Sequence, residues 1–349
     1  MLEPLYPIAK VEYLAKIAVE LERALERRAV SGEGGGLEMR TIAEGDGWKV
    51  QDVVCTSGPH DRPFEERHGG ATIAIVVAGS FQYRGLAGRE LMTPGSMVLG
   101  NASQAFECGH EHGSGDRCIA FWYAPDYFER VEADAGRVTG KRGFRTSRLP
   151  PLRETSSVIA RAYAGLTGPD GLSWEELSLR LAVLATYLDG GLPRGGASAP
   201  PSSFSRVTRI VRKIEGQHDA PLTLGGLAEE AGLSPYHFLR TFERLTGLTP
   251  HQYILRARLR EAATRLAIQR ARVIDIALDC GFGDVSNFNR AFRTEFGVSP
   301  RSYRRGLGRQ VAQTVSLRPQ SSNRPDEREP LETGCDVQSR RWRGLSQAR

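Results

Sequence analysis

A short run of thiol and imidazole side chains is the part of this sequence whose residue types could do chemistry. The run Cys108-Gly109-His110-Glu111-His112-Gly113 contains a His-x-His pair. The same region supplies further donors upstream, namely Cys55, His60 and His68. Side chains two residues apart on a β-strand point to one face, and imidazole with thiolate suits Zn, Cu, Fe or Ni. The candidate metal ligands are therefore Cys108, His110, His112 and Cys118.

Three roles are open for these side chains. They could be structural and hydrogen-bonded within their domain, they could take part in metal or thiol sensing, or they could contact an organic effector. A catalytic metal site needs a full ligand set aimed into an open cavity, and no such set can be assembled from this region. We therefore assign no catalytic residue, and the one cofactor considered is a metal ion in the N-terminal half.

Short β-strands are the elements that must position these donors. Strand-like segments occur at residues 48–55, 71–77, 80–84, 96–99 and 118–123. Gly and Pro residues separate them, with a hairpin-like break predicted at Ala78-Gly79 and a turn at residues 93–95. Many short strands at even spacing with such turns predict an all-β barrel or jelly roll, which we assign to residues 37–150.

Amphipathic helices flank the strand region on both sides. In residues 1–36 an apolar stripe with 3,4,3,4 spacing should end near Ser31, and its members are Val11, Leu14, Ala18, Leu21 and Leu25. In the helical region 151–190, Ser173 and Glu176 predict a capping box that opens a second helix. Its stripe has the same spacing and consists of Trp174, Leu177, Leu181, Leu184 and Leu188. Either stripe could cover its own domain or pair with a second chain, and we expect the second stripe to form a homodimer contact.

An internal repeat near the C-terminal end predicts that one structural unit occurs twice. Its offset is 49 residues, and becomes 50 after one inserted residue in the second turn. The matched pairs are Ala228 with Ala277, Gly232 with Gly281, Phe238 with Phe288, Arg240 with Arg290, and Phe242 with Phe292. Each copy has the pattern of a short helix, a glycine turn and a second helix started by Ser234 or Asp284. This is the pattern of a helix-turn-helix, whose second helix enters the major groove of DNA.

The second helix of each copy should have one buried and one outward face. The phenylalanine pairs at i, i+4 spacing face the core. The outward candidates for DNA binding are Tyr236, His237, Leu239 and Arg240 in the first copy, and Ser286, Asn287, Asn289 and Arg290 in the second. Arg suits guanine and Asn suits adenine. Residues 205–305 carry a net charge of +7 and residues 1–204 a net charge of −4, so the positive charge is concentrated where DNA phosphates would bind.

The repeated segment resembles the DNA-binding domain of the AraC/XylS family of bacterial transcription regulators. The resemblance covers about 100 of 349 residues, and rests on residues 227–234, 238–242, 276–282 and 287–304. It implies two helix-turn-helix units joined by a rigid helix, and asymmetric DNA sites read in two successive major grooves. It also implies double-stranded DNA and RNA polymerase as partners, with a small-molecule or metal effector. We expect an activator, with a repressor as the alternative.

Residues 91–101 resemble part of a cupin, the barrel that serves as an effector domain in the same family. In cupin enzymes the His-x-His pair comes before the Pro-Gly turn, whereas here it follows Pro94-Gly95. The expected fold is α+β and multidomain, with a cupin-like β-barrel and flanking helices, a linker at residues 191–204 and an all-α domain at residues 205–305. We predict a regulator that is not an enzyme. The alternative is a metal-dependent cupin enzyme fused to a DNA-binding module.

Composition limits the remaining possibilities. The chain is 25% charged and 40% hydrophobic, which is ordinary for a globular protein. Its longest apolar run, residues 71–78, is too short for a membrane helix, and five scattered cysteines argue against a disulfide framework. We therefore expect a cytoplasmic protein without a membrane partner. Residues 306–349 are polar, rich in Arg and without periodicity, and so predict a disordered tail.

Overall fold

The computed structural model describes most of residues 11–306. The parts of the chain outside this description are residues 1–10, 33, 64, 86–87, 112, 114, 137–142, 168–172, 193–198 and 307–349. The predicted disordered tail lies outside the described residues apart from Gly306, and so does the candidate metal ligand His112. Every helix in the described part of the chain is too short or too polar to pass through a lipid bilayer.

The N-terminal domain is built on two antiparallel β-sheets. Its strands are β1 Leu37–Gly45, β2 Trp48–Cys55, β3 Glu65–Arg67, β4 Ala71–Gly79, β5 Phe81–Gly85, β6 Gly88–Met92, β7 Met97–Gly100, β8 Ala105–Gly109, β9 Asp116–Tyr123 and β10 Arg148–Leu149. One sheet has the order β1-β2-β9-β4-β7-β10, and the other has the order β3-β8-β5-β6. Each of the five predicted strand segments overlaps an observed strand, with Ser80 and Ser96 lying just before β5 and β7, and this confirms the β-rich character of the domain.

The larger sheet lies between a layer of helices and the smaller sheet. Because side chains on a strand alternate between faces, β4 contributes to two apolar clusters. Ile73 and Ile75 are completely buried on the face that the helices cover. Val76 packs on the other face with Phe81 and Tyr83 of the smaller sheet. Side chains of both sheets therefore meet in the interior between them.

The predicted hairpin at Ala78-Gly79 is wrong. β4 pairs with β7 and β9, whereas β5 pairs with β6 and β8, so the chain leaves one sheet at Gly79 and enters the other at Phe81. Gly79 has a φ of 74°, and a Cβ at this position would lie 2.3 Å from the carbonyl oxygen of Gly115. The crossing therefore requires glycine. The alternation of apolar and polar residues along two short strands does not indicate whether the strands belong to the same sheet.

The described helices of this domain are α1 Val11–Ser31, α2 Pro125–Asp134, α3 Ser156–Thr167 and α4 Trp174–Gly191. α1 ends at Ser31, as predicted, and buries Leu21 and Ala24 against Val54 of β2. It therefore covers its own domain over this part of its length. The predicted start of α4 is also confirmed, because the Ser173 side chain accepts a hydrogen bond from the Glu176 backbone N at 3.2 Å.

The apolar stripe of α4 belongs to the core of its own domain. Leu177 and Leu181 are completely buried against the larger sheet, and Trp174 and Leu188 pack on the same cluster. The prediction that this stripe forms a homodimer contact is therefore wrong. The 3,4,3,4 spacing shows that one helix face is apolar, but it does not distinguish a covering sheet from a covering second chain.

The C-terminal domain is helical throughout its described length. Its helices are α5 Pro201–Gly216, α6 Leu224–Ala231, α7 Pro235–Thr246, α8 Pro250–Ile268, α9 Val273–Asp279 and α10 Val285–Phe296, and residues 300–306 are also helical. α5 begins inside the predicted linker, four residues before the predicted domain start at residue 205. Proline suits the first turn of a helix, and Phe204 is completely buried with Val207 and Val211. These two features start the helix at Pro201, so the predicted linker is too long.

The two domains pack against each other through α3. Ala160 of α3 is buried in the cluster that contains Leu259 and Ala263 of α8. Glu295 of α10 accepts a hydrogen bond from the Ser156 hydroxyl and forms an ion pair with Arg256 of α8 at 3.2 Å. The DNA-binding segment predicted from the sequence is therefore held against the N-terminal domain in this structure.

Candidate functional site

Helices α6 and α7 form the first helix-turn-helix. Gly232 ends α6 in the left-handed conformation with a φ of 64°, which supplies the tight turn. Ser234 then begins α7, its side chain accepting a hydrogen bond from the His237 backbone N at 3.4 Å. Phe238 and Phe242 are completely buried. This burial orients α7 and leaves its opposite face on the protein surface.

The outward face of α7 carries the four residues predicted to bind DNA. Tyr236, His237 and Arg240 are exposed, and Leu239 is half-buried. The Arg240 guanidinium lies 5.8 Å from the centroid of the Tyr236 ring and donates a hydrogen bond to its hydroxyl at 3.3 Å. This contact holds the arginine beside a ring on the helix surface, where its five N–H donors can reach a guanine edge.

Helices α9 and α10 form the second helix-turn-helix. Gly281 has a φ of 82°, and a Cβ there would lie 2.8 Å from the backbone of Asp219, so this turn requires glycine. The Asp284 side chain accepts a hydrogen bond from the Asn287 backbone N at 2.6 Å and begins α10. Phe288 and Phe292 are completely buried, which repeats the anchoring seen in α7.

The outward face of α10 is more polar than that of α7. Ser286, Asn287, Asn289 and Arg290 are all exposed. Arg290 donates a hydrogen bond to the Asn287 side-chain oxygen at 3.2 Å. Asparagine and arginine are the side chains that make bidentate contacts with adenine and guanine. The outward faces of α7 and α10 therefore differ in chemistry, although the two helices are anchored in the same way.

Helix α8 joins the two helix-turn-helix units. A capping box starts it, because Thr249 accepts a hydrogen bond from the Gln252 backbone N at 3.3 Å and the Gln252 side chain accepts one from the Thr249 backbone N at 3.1 Å. Tyr253 packs with the first unit and Ala262 with the second. Because one continuous helix contributes to both cores, the outward faces of α7 and α10 are held in a fixed relation.

A second candidate site is a cavity of about 270 Å³ between the two sheets of the N-terminal domain. His68 and Tyr83 line one part of it, joined by a 2.9 Å hydrogen bond between His68 Nε2 and the Tyr83 hydroxyl. Burial lowers the pKa of His68 to about 4, so its imidazole is neutral at physiological pH. His60 is exposed and does not line this cavity.

The cavity also gathers most of the predicted metal ligands. Cys108 of β8 and Cys118 of β9 line it together with His110. His110 Nε2 lies 2.6 Å from Asp116 Oδ1, and the Cys118 thiol donates to Asp116 Oδ2 at 3.3 Å. The arrangement predicted for the His-x-His pair is wrong, because β8 ends at Gly109 and His110 lies beyond the strand.

Electrostatics favour a charged pair inside this cluster. Burial by itself would lower the pKa of His110, but its interactions with Asp116 and Cys55 raise that pKa to about 10. The imidazole is therefore protonated at neutral pH and forms an ion pair with the Asp116 carboxylate. Burial raises the pKa of Cys108 and of Cys118 well above the ordinary value, so both are neutral thiols beside this ion pair.

Asp116 is the member of the cluster that the sequence patterns did not reveal. It lies opposite Cys55 in the register between β2 and β9, and the donor atoms of Cys55, His110 and Asp116 all lie within 4.8 Å of one another. No local motif links residues 55 and 116, since their proximity depends on strand pairing. The alternation of each strand indicates which of its own residues share a face, but it gives no register between strands.

Several known proteins are similar to this chain. The sequence pattern described as a helix-turn-helix domain matches residues 227–306. The transcriptional activator NphR of a Rhodococcus species is 30% identical over 259 residues, which cover 68% of this chain and 70% of NphR. The HTH-type transcriptional activator RhaS of Salmonella dublin is 28% identical over 193 residues, which cover 53% of this chain and 67% of RhaS. A solved structure of the DNA-binding domain of AdpA, a global transcriptional factor in complex with a target DNA, is also similar. The two sequences are 27% identical, the match covers 31% of this chain and 97% of the AdpA domain, and the TM-score is 0.30.

Proposed function

Because this chain belongs to the AraC/XylS family of transcription regulators, we propose that it is an effector-responsive activator that binds specific DNA sequences. Helices α7 and α10 enter two successive major grooves. RNA polymerase is the partner through which an activator of this kind acts. We expect such an activator to work in the cytoplasm, where a bacterial regulator meets its target DNA.

The duplicated anchoring of α7 and α10 is the observation that carries this proposal. In each helix two completely buried phenylalanines set the orientation, and a set of exposed side chains faces outward. A pair of hairpins that only stabilised the fold would not need an exposed Arg at the equivalent position of both copies, which Arg240 and Arg290 provide. The net charge of +7 over residues 205–305 adds the attraction to phosphate that DNA binding requires.

The N-terminal domain is proposed as a cupin-like effector domain, with the cavity between its sheets as the effector site. The cavity is lined by apolar side chains such as Val98 and Phe106 together with polar groups that include His68 and Tyr83, a combination found in small-molecule sites. The relatives that cover most of the chain are regulators by name. This favours an effector site over the alternative, a metal-dependent enzyme fused to a DNA-binding module.

The outer face of α4 is proposed as the homodimer contact, in place of the buried stripe. Leu179, Val183 and Tyr187 are exposed apolar side chains at i, i+4, i+8 spacing, and the Tyr187 side chain is 77% exposed. They form one ridge along the helix, opposite the face that packs on the sheet. Two such ridges can pack against each other, and a dimer of this kind would bring two pairs of reading helices to one promoter.

In vitro selection tests the proposed function and does not require the regulated genes to be identified first. The full chain is used to select duplexes from a random double-stranded library, and the enriched sequence is then footprinted. We expect one non-palindromic sequence per chain, with two contacted major-groove segments about 10 base pairs apart. Failure to enrich any sequence, or protection of a single groove only, would contradict the proposal.

A further inference from the structure

The interior of the N-terminal domain gathers three thiols around one cavity. Of the four cysteines in the described part of the chain, Cys55, Cys108 and Cys118 line the space between the sheets. They lie on three different strands, so their convergence results from the sheet topology. The fourth, Cys280, is buried in the core of the C-terminal domain.

Asp116 lies at the centre of four side chains in this cavity that can donate to a metal, and it is itself one of the four. One oxygen of its carboxylate contacts His110 Nε2 at 2.6 Å, and the other accepts a hydrogen bond from the Cys118 thiol at 3.3 Å. Cys55 lies opposite Asp116 on the neighbouring strand, and its sulfur is within 4.8 Å of the His110 and Asp116 donor atoms. Ligand atoms around one tetrahedral Zn²⁺ lie about 3–4 Å apart, because the bonds are about 2.0–2.3 Å long. Cys118 lies outside this group of three and reaches it through its hydrogen bond to Asp116, so its side chain must move to complete a four-ligand site.

A purely structural role would account for only part of the cluster. The ion pair of His110 and Asp116 could stabilise the interior by itself. A thiol is a weak hydrogen-bond donor that behaves as a small apolar side chain in a core. Two thiols beside an imidazole and a carboxylate, however, complete the four-coordinate donor set of a metal site.

We propose that Cys55, His110, Asp116 and Cys118 bind one divalent cation of the Zn²⁺ class. The mixed sulfur, nitrogen and oxygen donors suit Zn²⁺, whereas Mg²⁺ and Ca²⁺ prefer oxygen ligands alone. Only the deprotonated forms of thiol and imidazole donate to a metal, so each bound thiol and His110 releases one proton to solvent. The proposed function does not specify the chemistry of the effector, and this metal site therefore goes beyond the proposed function.

Cobalt substitution tests the site directly in the full chain. The chain carries the change Cys335→Ser, which removes the thiol outside the described residues, and is kept reduced and free of affinity tags. Adding Co²⁺ should produce thiolate-to-cobalt charge-transfer absorption and the visible bands of a tetrahedral site. Both should saturate at one equivalent and disappear when Zn²⁺ is added. Absence of the charge-transfer absorption at one equivalent would overturn the proposal, and this readout requires no change within the cluster.

Variants then test which residues bind the cation. Cys55→Ala, His110→Ala, Asp116→Asn and Cys118→Ala should each weaken cobalt binding by about tenfold or more, since even partners outside the ligand set typically cost that much. Cys108→Ala, in the same cavity, and Cys280→Ala, in the other domain, are the matched controls and should retain binding. Circular dichroism identifies any variant that fails to fold. Full-strength absorption in a folded Cys55→Ala or Cys118→Ala variant would place the metal elsewhere and overturn the assignment.

Discussion

Gly79 of β4 and Asp116 of β9 are cross-strand partners, which connects the cysteine and histidine cluster to the boundary between the domains. Gly79 lines a second cavity, of about 320 Å³, whose walls also include Leu21 of α1 and Arg260 of α8. Arg260 forms an ion pair with Glu215 of α5 at 2.7 Å. A change at Asp116 therefore has a short physical route to the helix that joins the two DNA-reading units.

We predict from this route that Zn²⁺ raises the affinity of the full chain for its selected duplex. A cation held by Asp116 would fix the pairing of β9 with β4, and with it the wall of the cavity that faces Arg260. The increase should be about fivefold or more, as is typical of allosteric coupling, and fluorescence anisotropy at constant ionic strength measures it. The fragment 199–306 lacks the cluster and serves as the control. An equal effect of Zn²⁺ on that fragment would show that the cation acts on the DNA-binding domain.

The fragment 199–306 should fold and bind the selected duplex without the N-terminal domain. Its two cores are formed almost entirely by its own residues, and among the described residues of the other domain Leu91 and Ala160 are the buried ones that join them. Its affinity should fall steeply with added salt, because counterions are released from DNA on binding. A titration between about 50 and 200 mM salt measures the slope. A folded fragment without measurable affinity for the duplex would contradict this prediction.

Replacing Arg240 or Arg290 with Ala should weaken binding to the selected duplex by about 1–3 kcal/mol and relax the preference at one base pair. Both side chains are exposed on the outward faces of their helices. Binding to a panel of duplexes with single base-pair changes measures the effect. Arg180→Ala, which removes the same charge from the surface of α4, is the control and should leave the preference unchanged. An equal loss of affinity on every duplex would identify the arginine as a phosphate contact.

The double variant Leu179→Glu with Val183→Glu should be a folded monomer. It places two charges on the exposed ridge of α4 without touching the core, and charges are costly to bury in an interface without partners. Sedimentation velocity measures the change from dimer to monomer. The contrasting variant is Leu181→Glu, which should unfold the N-terminal domain because Leu181 is completely buried. A dimer that survives the first change would exclude this ridge as the contact.

Asp52→Asn should destabilise the N-terminal domain in a pH-dependent way. Burial alone would raise the pKa of Asp52, but two hydrogen bonds from Arg117 and the contact with Arg40 lower it. A carboxylate with a lowered folded-state pKa stabilises the fold above its unfolded pKa of about 3.9, and this contribution is lost as the pH falls through the folded value. The loss at pH 7 should be roughly 3–5 kcal/mol, as for other broken buried pairs.

Denaturant unfolding at several pH values measures this effect. The difference between Asp52→Asn and the unchanged chain should shrink as the pH falls below about 4. Asp275→Asn is the matched control, because Asp275 pairs with Arg272 on the surface and exposed pairs contribute little. A difference that stays constant down to acidic pH would show that the Asp52 charge is not the cause.

The C-terminal domain was more predictable from sequence than the N-terminal domain for a physical reason. A helix-turn-helix is specified by local signals, such as the glycine at residue 232, the cap at Ser234 and the i, i+4 pair of Phe238 and Phe242. Each signal acts within a few residues, so the order of residues determines the element. The eight outward residues can therefore be assigned to one face of each helix from the sequence alone.

The N-terminal domain depends on long-range pairing that local patterns do not contain. Cys55 and Asp116 meet because β2 and β9 are neighbours in register, and Ala78 and Gly79 join two sheets instead of forming a hairpin. The apolar stripe that includes Leu181 shows only that one face of α4 is covered. Strand order and the identity of a covering surface are properties of the whole fold, which explains why these predictions failed.

The unequal chemistry of the two reading faces gives the bound protein a direction along DNA. Tyr236 and His237 are exposed on α7, and Ser286 and Asn287 are exposed at the equivalent positions of α10. A target sequence that is turned end to end exchanges these contacts, so the chain must turn with it. The orientation of the target within a promoter would then determine which side of the regulator faces upstream. We therefore expect that reversal of the target, with every base preserved, changes the transcriptional output.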